Sequence, residues 1–344
     1  KAQKEISNFL GSNHHQLDIK NSDISKNFYE TMKATETFLF RTAPVPMFLL
    51  SKFVREKGHK VFFSGEGADE IFFGYDIFFE TKIRKFWSKD INSKNRFLLL
   101  KKLYNYLPQF TNSRYFSMIK DFYKSSLTLE DDIFYSHFIR WSNYEYMKKF
   151  FNLSDDKVLN QNILLEDFLS TLPKDFVNMS LLRRAQYIEC STLLSNYLLS
   201  SQGDRVSLAN SVEGRYPYLD EDLICALINI SDKSLAPGIN HKKKFRETFK
   251  NLIPEKILNR PKFAYQAPEA RSFFDNKNNP SQLAQEYLDN ANNLDFQNYE
   301  NLKSLYKKIK DPLSSNRLGF RDNMAFIIGM SDFCLQKIRK NYKN

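Results

Sequence analysis

A helix-dominated α/β fold is predicted for this chain, and three features of the sequence predict it. Helical and strand-like apolar segments alternate over roughly the first 75 residues, a glycine-containing turn follows a short apolar strand, and the later segments have helical periodicity. With 344 residues and 42% apolar side chains, the chain is long enough to bury a real core. It is therefore expected to be globular.

The N-terminal segments support the α/β prediction in order. A helix is predicted from Ala2 to Leu10, then a turn and a short extended segment within "GSNHHQLDI". The next helix covers "VPMFLLSKFVREKG", where Pro46 suits the first turn and Gly58 a C-terminal cap. "HKVFFSG" follows as a short, buried strand. This order predicts a parallel sheet with crossover helices.

Beyond Tyr75 the sequence changes character. Long stretches such as "SLLRRAQYIECSTLLSNYLL" and "NMAFIIGMSDFCLQKIRKNY" have helical periodicity, whereas strand signals are scarce. The remainder of the chain is therefore predicted to be mainly helical.

Composition and charge exclude several classes of protein. The formal net charge is +11, but the lysines are spread along the chain and mixed with acids, so nucleic acid is not an expected partner. Part of the excess could instead attract an anionic substrate such as a nucleoside triphosphate. The longest apolar runs, "PMFLL" and "AFIIGM", fall well short of the roughly 20 residues of a membrane span. No membrane association is expected, and the cytoplasm is the expected location.

The segment most informative about chemistry is "VFFSGEGADEIFFGY". An apolar strand opens into two glycines, and three acids and an apolar helix follow. In an α/β fold this is the carboxyl end of a strand, where ligands bind. Gly65 and Gly67 allow the backbone to approach a ligand closely, and the following helix presents free N–H groups to an anion.

The three acids of this segment, Glu66, Asp69 and Glu70, repel one another and need a cation. Mg²⁺ suits a few carboxylates together with phosphate oxygens better than zinc, for which clustered Cys and His ligands are lacking. An acidic helix start stabilised by the macrodipole is the alternative. It explains Asp69 or Glu70 but not the preceding Gly-Glu-Gly.

The same segment resembles the pyrophosphate-loop segment of the asparagine synthetase family, S-G-E-G-[SA]-D-E followed by an apolar pair, Gly and Tyr. "GDRVSLANSVEGRYPYLD" and "HKKKFRETFKNLIPEKILNRPK" are similar to two later blocks of that family, and "FLGSNHHQ" resembles its L-G-T-x-H-H-E. The matches occur in family order and span nearly the whole chain.

The resemblance implies a nucleotide α hydrolase-like (PP-loop ATPase) parallel sheet with a large helical extension. Residues 1–78 would be the second part of the ATP-binding core, and 79–344 the mainly helical remainder. ATP and Mg²⁺ would be co-substrates, and a carboxylate, aspartate above all, would be amidated through an acyl-adenylate. Ammonia would come from glutamine through a glutaminase domain or chain, and a homodimer is compatible with the family.

Residue roles follow from motif position. Ser64 and Gly65 would touch ATP, Glu66 would help form or resolve the intermediate, and Asp69 and Glu70 would serve magnesium and pyrophosphate.

Further positions are implied outside the three acids. Lys262, in "NRPK", would offset charge developing on the α-phosphate. Without the family context, a single Lys after a Pro would be interpreted as solvated. Tyr75 is expected to support the site. Two acids and two bases of the middle block, interpreted as a buried ion-pair network, are also expected to support it: Asp204, Arg205, Glu213 and Arg215.

Two departures from the family pattern stand out. The S-G-G-x-D-S-S signature and the glutaminase domain with its leading Cys are absent from these 344 residues, so the sequence is expected to be a fragment or one chain of a split protein. In addition, Phe73 stands where the family usually has Gly.

Two alternatives to asparagine synthesis stay open at this stage. Relatives that make β-lactams, close lasso peptides or amidate sugar acids use the same adenylation on other carboxylates. A non-catalytic binding module that lost its ATP loop is the other alternative, against which the intact acids and Lys262 argue.

Overall fold

The computed structural model describes residues 2–104, 107, 110, 113–129, 132–142, 145–152, 161–263, 265, 267–294, 296–311 and 318–343. Within them the fold is α/β and dominated by helices, as predicted, with a small parallel sheet. None of the described helices is both long and apolar enough to cross a membrane.

Three helices form the N-terminal part: Ala2–Leu10, Asn21–Thr35 and Pro44–Glu56. Pro46 lies in the first turn of the third helix, as predicted. Gly58 follows its end with φ of +86°, while the His59 N–H donates to the Val54 carbonyl at 3.2 Å. This left-handed residue ends the helix, since a residue with a Cβ is strained there.

The extended segment predicted after the first helix is not a strand. Residues 12–20 are irregular. The Ser12 N–H turns back to the Ser7 carbonyl at 3.0 Å, and the Ser7 hydroxyl donates to the Ser12 carbonyl at 2.9 Å. These local bonds close a turn, and the segment pairs with neither described strand.

Strand β1 (Val61–Phe63) forms where it was predicted and pairs in parallel with β2 (Glu213–Arg215), in the register Val61 to Glu213. Its predicted burial is wrong, because Val61 is 39% and Phe63 75% exposed. Only two strands pair in the described part of the chain, so one side of β1 remains uncovered.

The described residues after Tyr75 are mainly helical. One continuous helical stretch covers 181–208 and widens to π-helical hydrogen bonding over Glu189–Asp204. The α-helices from residue 68 onward are Ala68–Ile71, Asp76–Ser88, Ser113–Lys124, Tyr135–Trp141, Glu145–Lys148, Gln161–Ser170, Leu181–Ile188, Arg205–Leu208, Glu221–Ile228, Asp232–Leu235, Lys243–Thr248, Glu255–Leu258, Gln282–Asn290, Tyr299–Lys310 and Phe320–Lys343.

Two large apolar clusters hold these helices. One gathers the helix Asn21–Thr35 and the C-terminal helices, around Phe28, Phe273 and Phe326. The other surrounds the helix Asp76–Ser88 and includes Phe73 and Trp87. The segment that follows β1 packs on the second cluster, which fixes the position of its acids.

Candidate active site

The turn after β1 is defined by backbone contacts. The Ser64 N–H continues the parallel ladder by donating to the Arg215 carbonyl at 2.8 Å. Gly67 has φ of +89°, and a Cβ there would collide with the side chain of Leu219. Gly67 is therefore needed for both backbone conformation and space, whereas a Cβ on Gly65 would point into open space.

Asp69 lies between two lysine ammonium groups. Its Oδ1 is 3.0 Å from Lys242 Nζ, and its Oδ2 is 2.8 Å from Lys262 Nζ. Burial opposes ionisation of Asp69, but the two ammonium groups prevail and lower the pKa of its carboxyl below the usual value. The ion-paired Asp69 is thus charged at neutral pH.

Gly74 lies against Asp69 and Lys242, and its lack of a side chain leaves room for them. A Cβ at Gly74 would overlap Asp69 Oδ1 and Lys242 Cε, and the Gly74 N–H donates to the Asp69 carbonyl at 2.7 Å. The preceding residue, Phe73, is fully buried and left-handed, with φ of +53°. The family's usual Gly at that position fits this backbone without strain, so the departure noted in the sequence falls on a strained residue.

Glu66 is half-buried beside the same pair of lysines. Burial raises the pKa of its carboxyl and the charge of Asp69 raises it further, while Lys242 and Lys262 oppose the shift. Glu66 is therefore a better proton acceptor than a solvated glutamate.

Glu70 turns away from Asp69 into the interior. It is fully buried, and its Oε1 accepts a 2.8 Å hydrogen bond from the Tyr75 hydroxyl. Its Oε2 has no hydrogen-bond partner among the described residues. Burial raises the pKa of Glu70 to about 7. The ring of Tyr75 in turn lies 5.2 Å from the Lys262 ammonium, so Tyr75 connects Glu70 to the lysine.

The residues present do not fit a magnesium site. The described part of the chain contains no group of three or more metal-ligating side chains. Two ammonium groups already occupy the Asp69 carboxylate, and Glu70 is enclosed. Lys242 and Lys262 therefore supply the counter-charge for Asp69, whereas Glu70 has no lysine partner among the described residues.

The middle block does not form the predicted buried network. Glu213 and Arg215 make a 2.9 Å pair in which both side chains are more than half exposed. Asp204 accepts a 2.9 Å bond from the Tyr216 hydroxyl, and the Arg205 guanidinium donates to the Thr35 carbonyl. Parallel pairing places residues 213–215 on the rim beside β1, where solvent reaches their side chains. The middle block contributes to the site through its backbone, because β2 pairs with β1 and accepts the hydrogen bond from Ser64.

Sequence reasoning missed Lys242 and the pair His241–Asp76, whose Nε2 and Oδ1 are 2.9 Å apart. Lys242 lies in a run of three lysines, a pattern that usually indicates a solvated surface. A signal was available: the buried acid cluster needed cations, and this run lies within a block that resembles the family.

Taken together, these residues form a candidate ligand site, lined by two lysines, at the carboxyl end of a parallel strand. The profile of the family described as "Asparagine synthase" matches residues 1–332, and the chain belongs to this family.

Curated relatives carry the same family name. "Asparagine synthetase [glutamine-hydrolyzing] 1" of Bacillus subtilis (strain 168) is 26% identical over 230 residues, which are 66% of this chain and 33% of the relative. The nodule asparagine synthetase of Pisum sativum is 39% identical over 87 residues, 25% of this chain and 15% of the relative. That of Sandersonia aurantiaca is 41% identical over 80 residues, 23% and 15% respectively. The matched regions thus span a third or less of these relatives.

Proposed function

We propose that this chain supplies the ATP-dependent synthetase part of a carbon–nitrogen ligase that converts aspartate to asparagine. Family membership and the relatives' names support this reaction. The geometric observation that supports it best is the Asp69 carboxylate held between Lys242 and Lys262, beside half-buried Glu66 and an open turn.

The proposed fold is a nucleotide α hydrolase-like core with a helical extension. Residues 1–78 would be the second part of that core and 79–344 its helical remainder, which also contributes β2. In such a core, the side of β1 that pairs with no described strand, where Phe63 is exposed, would lie beside a further strand.

In the proposed first step, a carboxylate oxygen of aspartate attacks the α-phosphorus of ATP, and the bond to the bridging oxygen breaks as pyrophosphate leaves. Ser64 and Gly65 would contact the nucleotide. Lys262 and Lys242 are only partly exposed, so their charges act through a medium of low polarity. They would stabilise the negative charge that builds on the phosphoryl oxygens, while phosphate competes with Asp69 for them.

In the proposed second step, ammonia released from glutamine by a glutaminase domain or chain attacks the acyl carbon, and AMP leaves. The attacking nitrogen must lose a proton. Glu66 is the proposed acceptor, because burial and Asp69 raise the pKa of its carboxyl.

Mg²⁺ accompanies ATP in the family resemblance. Since Asp69 is ion-paired and Glu70 enclosed, neither carboxylate is a ready magnesium ligand, and neither step above depends on a metal ligand. Glu70 is better suited to orienting Tyr75 beneath Lys262.

The test is Lys262→Met in the full-length protein, assayed by single-turnover formation of the acyl-adenylate. The rate is expected to fall roughly a hundredfold, with a smaller effect on ATP affinity, because the lost charge acts mainly in the transition state. Lys262→Arg should rescue the rate only in part. The control is Lys244→Met, which removes an exposed lysine outside the site. An unchanged rate in Lys262→Met would refute the proposed role.

Two alternatives give different outcomes in the same assay. An enzyme for another carboxylate would form no adenylate with aspartate but would form one with its own substrate. A non-catalytic module would bind ATP without exchanging pyrophosphate into it.

A further inference from the structure

A cavity of about 560 Å³ borders the acid site, and its lining carries more positive than negative side chains. Five lysine and arginine side chains line it against two carboxylates, which leaves an excess of three positive charges. We call it the basic cavity, and its cations are Lys102, Lys243, Arg246, Lys250 and Lys262.

Both carboxylates of the lining already have partners. Asp76 Oδ1 lies 2.9 Å from His241 Nε2. Glu247 lies 3.1 Å from Lys244 and 3.8 Å from Lys243, so it shares its charge between two lysines. Lys250 has neither an ion pair nor a hydrogen bond within the described residues. The cavity thus retains positive charge that its own acids do not neutralise.

Arg246 builds the wall that joins the cavity to the acid site. Its guanidinium donates to the Leu258 carbonyl at 2.9 Å and to the Arg260 carbonyl at 3.0 Å, which ties the segment carrying Lys262 to the helix Lys243–Thr248. Lys262 lines the basic cavity while its ammonium pairs with Asp69. One lysine therefore belongs to both sites.

The chemistry of the lining favours linked phosphates over a nucleobase. The ring of Tyr104 packs on Phe110 at 4.6 Å, and the ring of His241 meets Phe79 edge-to-face at 4.8 Å. Each ring already packs on another aromatic ring of the protein, which leaves less of its surface for stacking a base. Two linked phosphates carry about three negative charges at neutral pH, and a lining with more cations than carboxylates is suited to such a group.

We propose that the basic cavity is a second anion site that binds a diphosphate group next to the reaction site. This inference rests on the proposed function where the occupant is the pyrophosphate that adenylation releases. The phosphate chain of a free nucleoside triphosphate has the same chemistry and is the other source.

The test measures binding of inorganic pyrophosphate to the 344-residue chain by calorimetry at fixed ionic strength. The variant Lys243→Gln/Lys250→Gln removes two cations of the cavity and leaves Lys262 and Asp69 in place. The control, Lys52→Gln/Lys256→Gln, removes the same charge from two exposed lysines that neither line the cavity nor pair with its carboxylates. Thermal unfolding of each variant checks that it remains folded.

The cavity variant is expected to bind pyrophosphate about tenfold or more weakly, because charge-assisted hydrogen bonds are lost, whereas the control should change by less than about twofold. Equal weakening in both variants, or no binding by the unchanged chain, would overturn the proposal. Repeating the titration with ATP separates the sources: a loss shared by ATP indicates a free nucleotide, and a loss confined to pyrophosphate indicates the product. Neither result depends on turnover, so failure here is separate from failure of the Lys262→Met test.

Discussion

Two clusters of charged residues differ in their access to solvent. The first cluster is the triad of Asp69, Lys242 and Lys262, in which each side chain is 19–23% exposed to solvent. The second cluster centres on Arg84, which is fully buried 3.3 Å from the nearly buried Glu80.

Hydrogen bonds close the Arg84 cluster on itself. Glu80 accepts bonds from the Tyr104 hydroxyl at 2.6 Å and the Tyr123 hydroxyl at 3.1 Å, and Arg84 donates to the Tyr135 carbonyl at 2.8 Å. Such a cluster holds helices together but cannot exchange partners. In the Asp69 triad an incoming anion can compete for the lysines. Partial exposure, rather than charge, thus distinguishes a candidate site from a structural ion pair.

The largest effect should come from opening the closed cluster. Arg84→Met removes the ion-pair partner of the buried Glu80 carboxylate, and is expected to cost about 3–5 kcal/mol of unfolding free energy. Asp69→Asn should cost less, because its lysines can be solvated. Urea denaturation measures both. A smaller loss for Arg84→Met than for Asp69→Asn would reverse the assignment of the two clusters.

The second largest effect is expected in the pH dependence of the unfolding free energy, and it comes from Glu70. Its pKa is raised to about 7, above the value near 4.5 expected in the unfolded chain. The folded protein therefore holds this proton where the unfolded chain has lost it, and stability falls as pH rises through that window, by about 3 kcal/mol.

The measurement for Glu70 is the difference between the stability–pH profiles of the unchanged protein and Glu70→Gln. Burial likewise raises the pKa of Glu269 to about 7, so Glu269→Gln is the matched comparison and the double variant should lose both contributions. Burial lowers the pKa of His137, so the contribution of His137 to stability rises with pH. Because His137 is present in every variant, its contribution cancels when the profiles are subtracted. Superimposable profiles for Glu70→Gln and the unchanged protein would count against a protonated Glu70.

A smaller effect separates Phe73→Ala from Phe73→Gly. Both lose a buried ring that packs on Phe78 at 5.0 Å. Alanine keeps the strained left-handed φ, whereas glycine relieves it, so the glycine variant should be the more stable by roughly 1–2 kcal/mol. This reverses the usual order in folded segments. Thermal unfolding of the two variants gives the sign, and a more stable alanine variant would show that the backbone is not strained.

The smallest effect is expected at the exposed pair. Glu213→Gln should change the unfolding free energy by less than about 1 kcal/mol, because both partners are solvated and screened. Salt titration of the same variant should leave that difference small. A loss comparable with that of Arg84→Met would mean that the rim of β2 is covered in the working protein.

Local chemistry was enough to predict much of the fold. Four features form where the sequence predicts them: the helix Pro44–Glu56, its end at Gly58, strand β1 and the glycine turn. Each depends on neighbouring residues and on the backbone φ. The extended segment after the first helix failed because a strand needs a partner, and local propensity does not supply one. The roles of Ser64 and Gly65 in binding ATP stay predictions.

Contacts between distant segments decided the rest. The sequence by itself determined that three acids follow β1 and that Lys262 and the lysine run lie far along the chain. Only the tertiary structure placed Lys242 and Lys262 on Asp69, turned Glu70 inward to Tyr75, and left the Glu213–Arg215 pair in solvent. The physical reason is that a charge's partner and its exposure depend on how helices pack, whereas backbone conformation depends on the residues beside it.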